Sequence, residues 1–209
     1  MVDYSLRTFQ RARDVDRIVV AVRPEDRHRL DHLTAEGSGP PLLTVAGGST
    51  RHQSEVSAVE SLAEAINAGV IDLVAIHDGA RPFMTFELLG ACIEAAARFG
   101  GAVPGMPPVA PVYQSDDGVV RPLEAEDLVR VQTPQVFRAR PLLEAYRASV
   151  GAGFEGIDTA ETMEKFSTIE VAVVPGDERN VKITFGEDLI QAEELAKIWD
   201  DGRWRIGTE

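Results

Sequence analysis

Positive charge is in short supply in this sequence: 21 lysines and arginines stand against 34 aspartates and glutamates in 209 residues, a formal charge of −13. A nucleic-acid backbone or an anionic membrane would repel such a chain, so neither is an expected partner, and an anionic ligand could be held only where cations are gathered locally. Cysteine is nearly lacking. Cys92 is the sole example, which rules out an intrachain disulfide, and its apolar neighbours mark it as a packed thiol rather than a nucleophile. There is no run of about 18 apolar residues, and the opening MVDYSLRTFQ has no basic segment ahead of an apolar one. No spanning helix or secretory leader is therefore expected, and the cytoplasm is the expected compartment. Internal repeats and low-complexity segments are absent as well. His28 and His32 have the i, i+4 spacing of a metal pair, but the glutamate of the zinc motif is missing and Arg27, Arg29 and Asp31 surround them, so they read as surface residues.

What is present alternates. Apolar runs rich in Val and Ile at 16–22, 42–47, 71–78, 101–106 and 169–174 read as strands, and segments of helical period lie between them. This is the pattern of an α/β sheet covered by helices on both faces. A single domain of this length buries about 70% of its unfolded surface, so no staple is needed. The clearest helix spans 51–69, with Thr50 and Gln53 spaced for a capping box and Gly69 as the stop. Asp158 with Glu161, and Thr184 with Glu187, repeat the cap spacing ahead of later helices. Leu6 and Phe9 place a helix at the start, before the first strand.

From Pro107 the chain becomes proline-rich and extended, with SDDG at 115–118 as a turn between two strand-like pieces. This reads as a β-hairpin arm over about 107–130 projecting from the main sheet. Moderate apolarity without a covering helix suggests a second copy of the chain over the arm, hence a homodimer; an ordinary surface excursion is the blander reading. Residues 1–198 are assigned to one domain and 199–209 to a weakly patterned tail.

Three stretches could carry chemistry. In an open α/β sheet, ligands gather beyond the carboxyl ends of the strands, where loops part and helix N-termini point their amides inward. LVAIHDGARPF (73–83) stops on Asp78 and Arg81 at such an end, although the two could equally cap a turn and pair with each other. VAGGSTR (45–51) also follows a strand and opens a helix, and Gly47 and Gly48 let backbone amides approach a ligand. Its spacing fits neither a Walker loop nor a dinucleotide fingerprint. RNVKIT (179–184) puts Lys182 inside a short strand, where a charge is unusual unless solvated at an edge or used. His52, beside Arg51 at a helix start, could approach a nucleotide, and His77 reads as a packed turn residue.

In this order, and joined by VQTPQVF (131–137), these stretches resemble those of the 2-C-methyl-D-erythritol 4-phosphate cytidylyltransferases of isoprenoid synthesis and of relatives that make CDP-ribitol. HDGARP is similar to that family's HDAARP, AGGSTRHQSEV to AGGxxRxxSV, TPQVF to TPQxF, and GDERNVKIT to GDxxNIKIT. The resemblance covers nearly the whole chain, to about Glu194. It implies a Rossmann-like nucleotidyltransferase sheet and the transfer of CMP from CTP to a polyol or sugar phosphate, with pyrophosphate release and Mg²⁺ present. A phosphate monoester, second pKa about 6, is largely ionised near neutrality. No protein nucleophile or strong base is then required, only alignment of two anions and fixed cations around them. The resemblance further implies that Asp78 faces the metal and the acceptor hydroxyls, and that Lys182 positions the acceptor phosphate, the two forming the catalytic pair. Arg81 and Thr133 would bind the acceptor, and Gly47, Gly48 and Ser54 would lie against the cytidine nucleotide.

The sequence departs from that family in two places. The family's opening strand and glycine-rich loop, with the Arg and Lys that bind CTP phosphates, have no counterpart here. The expectation is a misplaced start or a shortened chain, and a sheet in which the neighbours of that central strand lack a ladder partner. At the acceptor site, Ala125 stands where methylerythritol enzymes carry an arginine, PVAPVYQ (108–114) replaces PVxDTxK, and Ile157 replaces a threonine ahead of Asp158. Each charge-assisted hydrogen bond so lost is worth about 1.5 to 3 kcal/mol, with Arg121, Arg130 and Arg179 as candidate substitutes. Cytidylyl transfer of the methylerythritol phosphate type is the expected activity. The alternatives are an enzyme for a different polyol phosphate, or a catalytically silent relative acting as a binding or dimer partner. Each active reading requires loop ends of a single parallel sheet to bring Asp78, Arg81, Gly48 and Lys182 to one anion-holding hollow.

Overall fold

The computed structural model describes residues 1–30, 39–123 and 128–200, apart from the Asp200 side chain. Helix α1 (Val2–Arg11) sets Leu6 and Phe9 against Ile18 and Leu30, as the opening helical period requires. Strand β1 (Ile18–Val22) and, after a 3-10 turn at Pro24–Leu30, strand β2 (Leu42–Ala46) pair in parallel with Ile18 opposite Leu42. Thr50 caps α2 (Arg51–Glu60), its hydroxyl accepting from the Gln53 amide at 3.2 Å. The single helix expected over 51–69 is in fact two. The Ser61 hydroxyl donates to the Ala58 carbonyl at 2.7 Å, a local bond that competes with the helical ladder, and α3 (Ala63–Asn67) restarts beyond it. Gly69, at φ +69°, then ends the segment.

The main sheet is built from β3 (Leu73–Ile76), β4 (Gly100–Met106), β7 (Arg130–Val131), β8 (Gln135–Arg138) and β9 (Glu170–Pro175). β4 is its middle strand, with β9 parallel along one edge and β8 and then β7 antiparallel along the other. β8 also pairs antiparallel with β3, so β3, β4 and β9 run the same way. A single parallel sheet is therefore corrected to a mixed one: the TPQVF segment, expected only as a motif, is itself a reversed strand inserted between β3 and β4. Pro134 has no N–H to give to a ladder, and the strand begins directly after it.

Side chains alternate between the two faces. Val74, Val103 and Phe137 point to a core closed by α5 (Ala139–Gly151) and α6 (Thr159–Phe166), through Leu142, Tyr146 and Met163. Ala102, Val136 and Val174 point the other way, onto Cys92 and Ala96 of α4 (Phe86–Phe99). Cys92 is fully buried, and burial pushes its thiol up to about 12, which makes it inert packing. The arm is a hairpin of β5 (Tyr113–Asp116) and β6 (Val119–Pro122), turning on Asp117 and Gly118, both at positive φ. Helix α7 (Asp188–Asp200) ends the described chain, with Trp199 packed on Tyr4 and Phe83; residues 201–209 of the expected tail lie outside the described residues.

Among the described residues, β1 pairs only with β2, and β3 only with β8. The free edges of β1 and β3 border one cleft of about 830 Å³, whose lining includes Leu6 and Phe9 of α1, Val59 of α2, Arg51 and Asp78. Arg51 follows β2 and Asp78 follows β3, and their contact shows that the parallel pair β1 and β2 ends on the same side of the molecule as β3. The cleft thus runs along two aligned strand edges that have backbone groups to offer.

Candidate active site

Asp78 leaves β3 with its backbone held as firmly as its side chain. Its amide donates to the Thr133 hydroxyl at 3.1 Å. That hydroxyl also meets His77 Nδ1 at 3.1 Å, while His77 Nε2 meets the Arg81 carbonyl at 2.9 Å. The Arg81 carbonyl can only accept, so Nε2 carries the proton, and in the neutral imidazole Nδ1 then accepts from the Thr133 hydroxyl. Burial agrees: it lowers His77 to about 4. His77 is the packed turn residue that the sequence indicates.

The Asp78 carboxylate is ringed by cations. Arg51 Nε lies 3.1 Å from Oδ1, Lys182 Nζ 2.9 Å from Oδ2, and Arg81 Nε 3.6 Å from Oδ2. Burial alone would raise the Asp78 carboxyl, but Lys182 and Arg51 outweigh it and hold the group below its ordinary value. For Arg81 burial wins and lowers the guanidinium, with Arg130 close enough to add to the effect. Arg81 Nη1 donates to the Asn180 carbonyl at 2.7 Å. Arg81 Nε and Asn180 Oδ1 are buried without a hydrogen-bond partner among the described residues, although Nε keeps its ion pair with Asp78 at 3.6 Å.

Three sequence expectations change here. RNVKIT is not a strand: only the Ile183 amide reaches across, to the Ala80 carbonyl at 2.9 Å. The segment is knit instead by side chains, with Gln132 bridging both the carbonyl and the amide of Asp177 and Asn180 Nδ2 donating to the Thr133 carbonyl. Thr184 does not cap the last helix; the Asp188 carboxylate accepts the Thr184 and Phe185 amides at 2.7 and 2.8 Å, so α7 begins at Asp188. Thr133 is buried and its hydroxyl is spent on Asp78 and His77, so it supports the β3 exit rather than facing the hollow.

The glycine loop closes on its own helix. Gly47 extends the β1 ladder through the Val22 carbonyl at 3.0 Å, and the Gly48 amide donates to Ser54 Oγ at 3.1 Å. The Ser54 hydroxyl in turn donates to the Thr50 carbonyl at 2.9 Å. A Cβ on Gly48 would lie 2.3 Å from the Gln53 Cβ, so only glycine allows this fold-back. Ser54 therefore shapes the loop, and Gly47 and Gly48 place Arg51 against Asp78. His52 is buried, with Nε2 bonded to Ser149 Oγ at 3.0 Å and Nδ1 accepting from the Gly156 amide at 3.4 Å. Of the candidate substitutes at the acceptor end, Arg179 pairs with Asp177 at 2.7 Å, Arg130 lies near Arg81, and Arg121 sits on the exposed arm. Ala125 lies outside the described residues.

Arg51 and Glu55 are the residues that sequence reasoning undervalued. Their i, i+4 spacing was the available signal; the partner of Glu55, Tyr146 on a distant helix, left none.

Magnesium does not fit this cluster as arranged. Both Asp78 oxygens are engaged by cationic groups, a dication there would adjoin an ammonium and two guanidinium groups, and among the described residues no group of three or more His, Cys, Asp or Glu side chains could hold a metal ion.

Three cations gathered on one aspartate beyond the carboxyl ends of α/β strands, with Arg51 just after a glycine turn and Lys182 from the loop after β9, mark an α/β protein fitted to handle phosphate groups. The family model described as IspD, 2-C-methyl-D-erythritol 4-phosphate cytidylyltransferase, matches residues 1–197, and the chain belongs to that family. It is 38% identical over 202 residues to the 2-C-methyl-D-erythritol 4-phosphate cytidylyltransferase of Solibacter usitatus, covering 94% of this chain and 79% of that one. The crystal structure of the enzyme of that name from Thermus thermophilus superposes with a TM-score of 0.74 at 31% identity, covering 94% and 88% of the two chains. The 4-diphosphocytidyl-2C-methyl-D-erythritol synthase of Anaerococcus prevotii gives 0.82 at 26%, covering 94% and 85%.

Proposed function

We propose that this chain transfers the cytidylyl group of CTP to the phosphate of 2-C-methyl-D-erythritol 4-phosphate. The observation that carries the reading is the local reversal of charge: Arg51, Arg81 and Lys182 converge on Asp78, with Arg130 nearby, in a chain of net charge −13. An acceptor phosphate oxygen attacks the α-phosphorus of CTP. The bond from that phosphorus to the oxygen bridging to the β-phosphate breaks, and pyrophosphate leaves with the electron pair. The acceptor arrives ionised, so no base is required. Lys182, the most exposed of the three cations, is the one free to turn from Asp78 to the acceptor phosphate. Asp78, fixed by its neighbours, accepts from the acceptor hydroxyls, and Arg81 neutralises charge behind it. The Gly47–Gly48 side of the hollow takes the nucleotide. We assign Mg²⁺ to the triphosphate it accompanies rather than to Asp78.

A homodimer through the arm is part of the same reading, because Tyr113, Val119 and Val120 are 55%, 59% and 62% exposed on a two-stranded hairpin that is marginal alone. No helix among the described residues is long and apolar enough to cross a membrane, and the cytoplasm is the compartment assigned. The test is pyrophosphate release from CTP and Mg²⁺ with a panel of polyol and sugar phosphates. Release that depends on 2-C-methyl-D-erythritol 4-phosphate supports the reading; a stronger response to another polyol phosphate reassigns the acceptor, and silence with every acceptor overturns it.

A further inference from the structure

Glu55 is a buried carboxylate that the transfer chemistry does not use. It is 8% exposed and sits on α2 one turn beyond Arg51. Arg51 Nη2 lies 2.9 Å from Glu55 Oε1, while the other carboxylate oxygen accepts from Tyr146 at 2.5 Å and from Thr159 at 3.4 Å. Tyr146 and Thr159 come from α5 and α6, so three helices meet at this carboxylate. The Arg51 guanidinium is therefore gripped at both ends, by Glu55 in the core and by Asp78 at the mouth of the hollow, with Nη1 reaching the Ile157 carbonyl at 3.4 Å. Burial raises the Glu55 carboxyl, opposed by Arg51 and then by the Tyr146 hydroxyl, and Asp78 is the other charged group close enough to act on it.

We propose that Glu55 is a positioning residue: anchored by Tyr146 and Thr159, it fixes the Arg51 guanidinium so that Arg51 stays against Asp78 and presents its charge to the bound anion. The proposal rests on the transferase reading for the identity of that anion, but not for the grip itself. Simple electrostatics makes the opposite forecast. Glu55 is a negative charge beside an anion site, and deleting it should tighten anion binding. Positioning instead requires an acceptor at this place, charged or not, because an arginine released from its anchor spends rotamer entropy to bind.

Three variants separate these outcomes. Glu55→Gln keeps an acceptor and loses the charge. Glu55→Leu loses both and orphans the Tyr146 hydroxyl. Glu55→Leu/Tyr146→Phe loses both while removing the orphan, so it guards against simple misfolding. Inorganic pyrophosphate binding is measured by calorimetry on the full chain, with thermal unfolding as the check on folding. The expected result is binding about ten-fold weaker in both leucine variants and within about three-fold of the parent in Glu55→Gln, since ten-fold is the size of one modest polar contact. Equal or tighter binding in the double variant would overturn the proposal. The Arg51 guanidinium signal in nitrogen-15 NMR separates this test from that of the transferase reading. Slow guanidinium rotation in the parent and Glu55→Gln, with fast rotation in the leucine variants, supports the grip whether or not an anion binds, and equal rotation in all of them overturns it. A parent chain that binds no pyrophosphate counts against the transferase reading alone.

Discussion

Lys182 Nζ stands 2.9 Å from Asp78 Oδ2, joining the loop after β9 to the loop after β3. Arg51 and Arg81 share the same carboxylate, so Asp78 is the one negative group holding three cations together. Asp78→Asn should leave the cations repelling one another. We expect unfolding free energy to fall by about 1 to 3 kcal/mol, with the Lys182 share small because that side chain is 42% exposed. Transfer efficiency should drop about 100-fold or more, since the acceptor loses its alignment. Denaturant titration and steady-state kinetics on the same preparation check both figures.

His77 gives the pH dependence a sign. Burial lowers it from 6.5 to about 4. A base with a depressed folded pKa holds its proton more weakly when folded, so its stabilisation is complete above pH 6.5 and drains as pH falls toward 4. Between pH 7 and pH 5 the parent should therefore lose about 1 to 2 kcal/mol more stability than His77→Gln. Urea midpoints at the two pH values measure the difference; an unchanged gap would mean His77 titrates normally.

Gly48→Ala and Gly90→Ala should act in opposite directions. A Cβ at Gly48 meets Gln53 Cβ at 2.3 Å and the Gln53 backbone carbon at 3.0 Å, whereas one at Gly90 meets nothing within 4 Å. The first should cost about 1 to 3 kcal/mol by overpacking and loosen Arg51, and the second should add about 0.5 to 1 kcal/mol by helix propensity. Thermal melts of the pair settle the order.

Strands β1 and β3 should exchange their outward amides faster than β4. Each has one edge on the cleft, while β4 is paired along both, and unpaired donors lack ladder protection. Hydrogen exchange with peptide resolution compares Val19–Ala21 and Leu73–Ala75 with Gly101–Gly105. Equal protection would show that the cleft edges are closed in solution.

Much of this fold was legible because its strands are short, apolar and set between strong caps. Thr50 and Asp158 mark helix starts as their spacing indicates, and β1, β2, β3, β4 and β9 fall where Val and Ile cluster. β8 was not legible as a strand: four residues after a proline carry no period of their own, and the sheet rather than local preference makes them extended. The meeting of Asp78, Arg81 and Lys182 followed from the rule that loops gather at strand carboxyl ends. The roles of Thr133 and Ser54 did not, since a short hydroxyl can either face a ligand or bond to nearby backbone, and only the tertiary contacts decide. Tyr146 beneath Glu55 lay beyond any sequence spacing.

Lys182→Met offers the sharpest trial of the anion hollow, because the side chain is partly exposed and its loss should leave the fold intact. At saturating CTP, kcat/KM for 2-C-methyl-D-erythritol 4-phosphate should fall about 100-fold, the value of a charge-assisted contact made to the reacting phosphate, while the KM for CTP moves only a few-fold. Undiminished kcat/KM for the acceptor would mean that the cations around Asp78 are structural and that the phosphate is bound elsewhere.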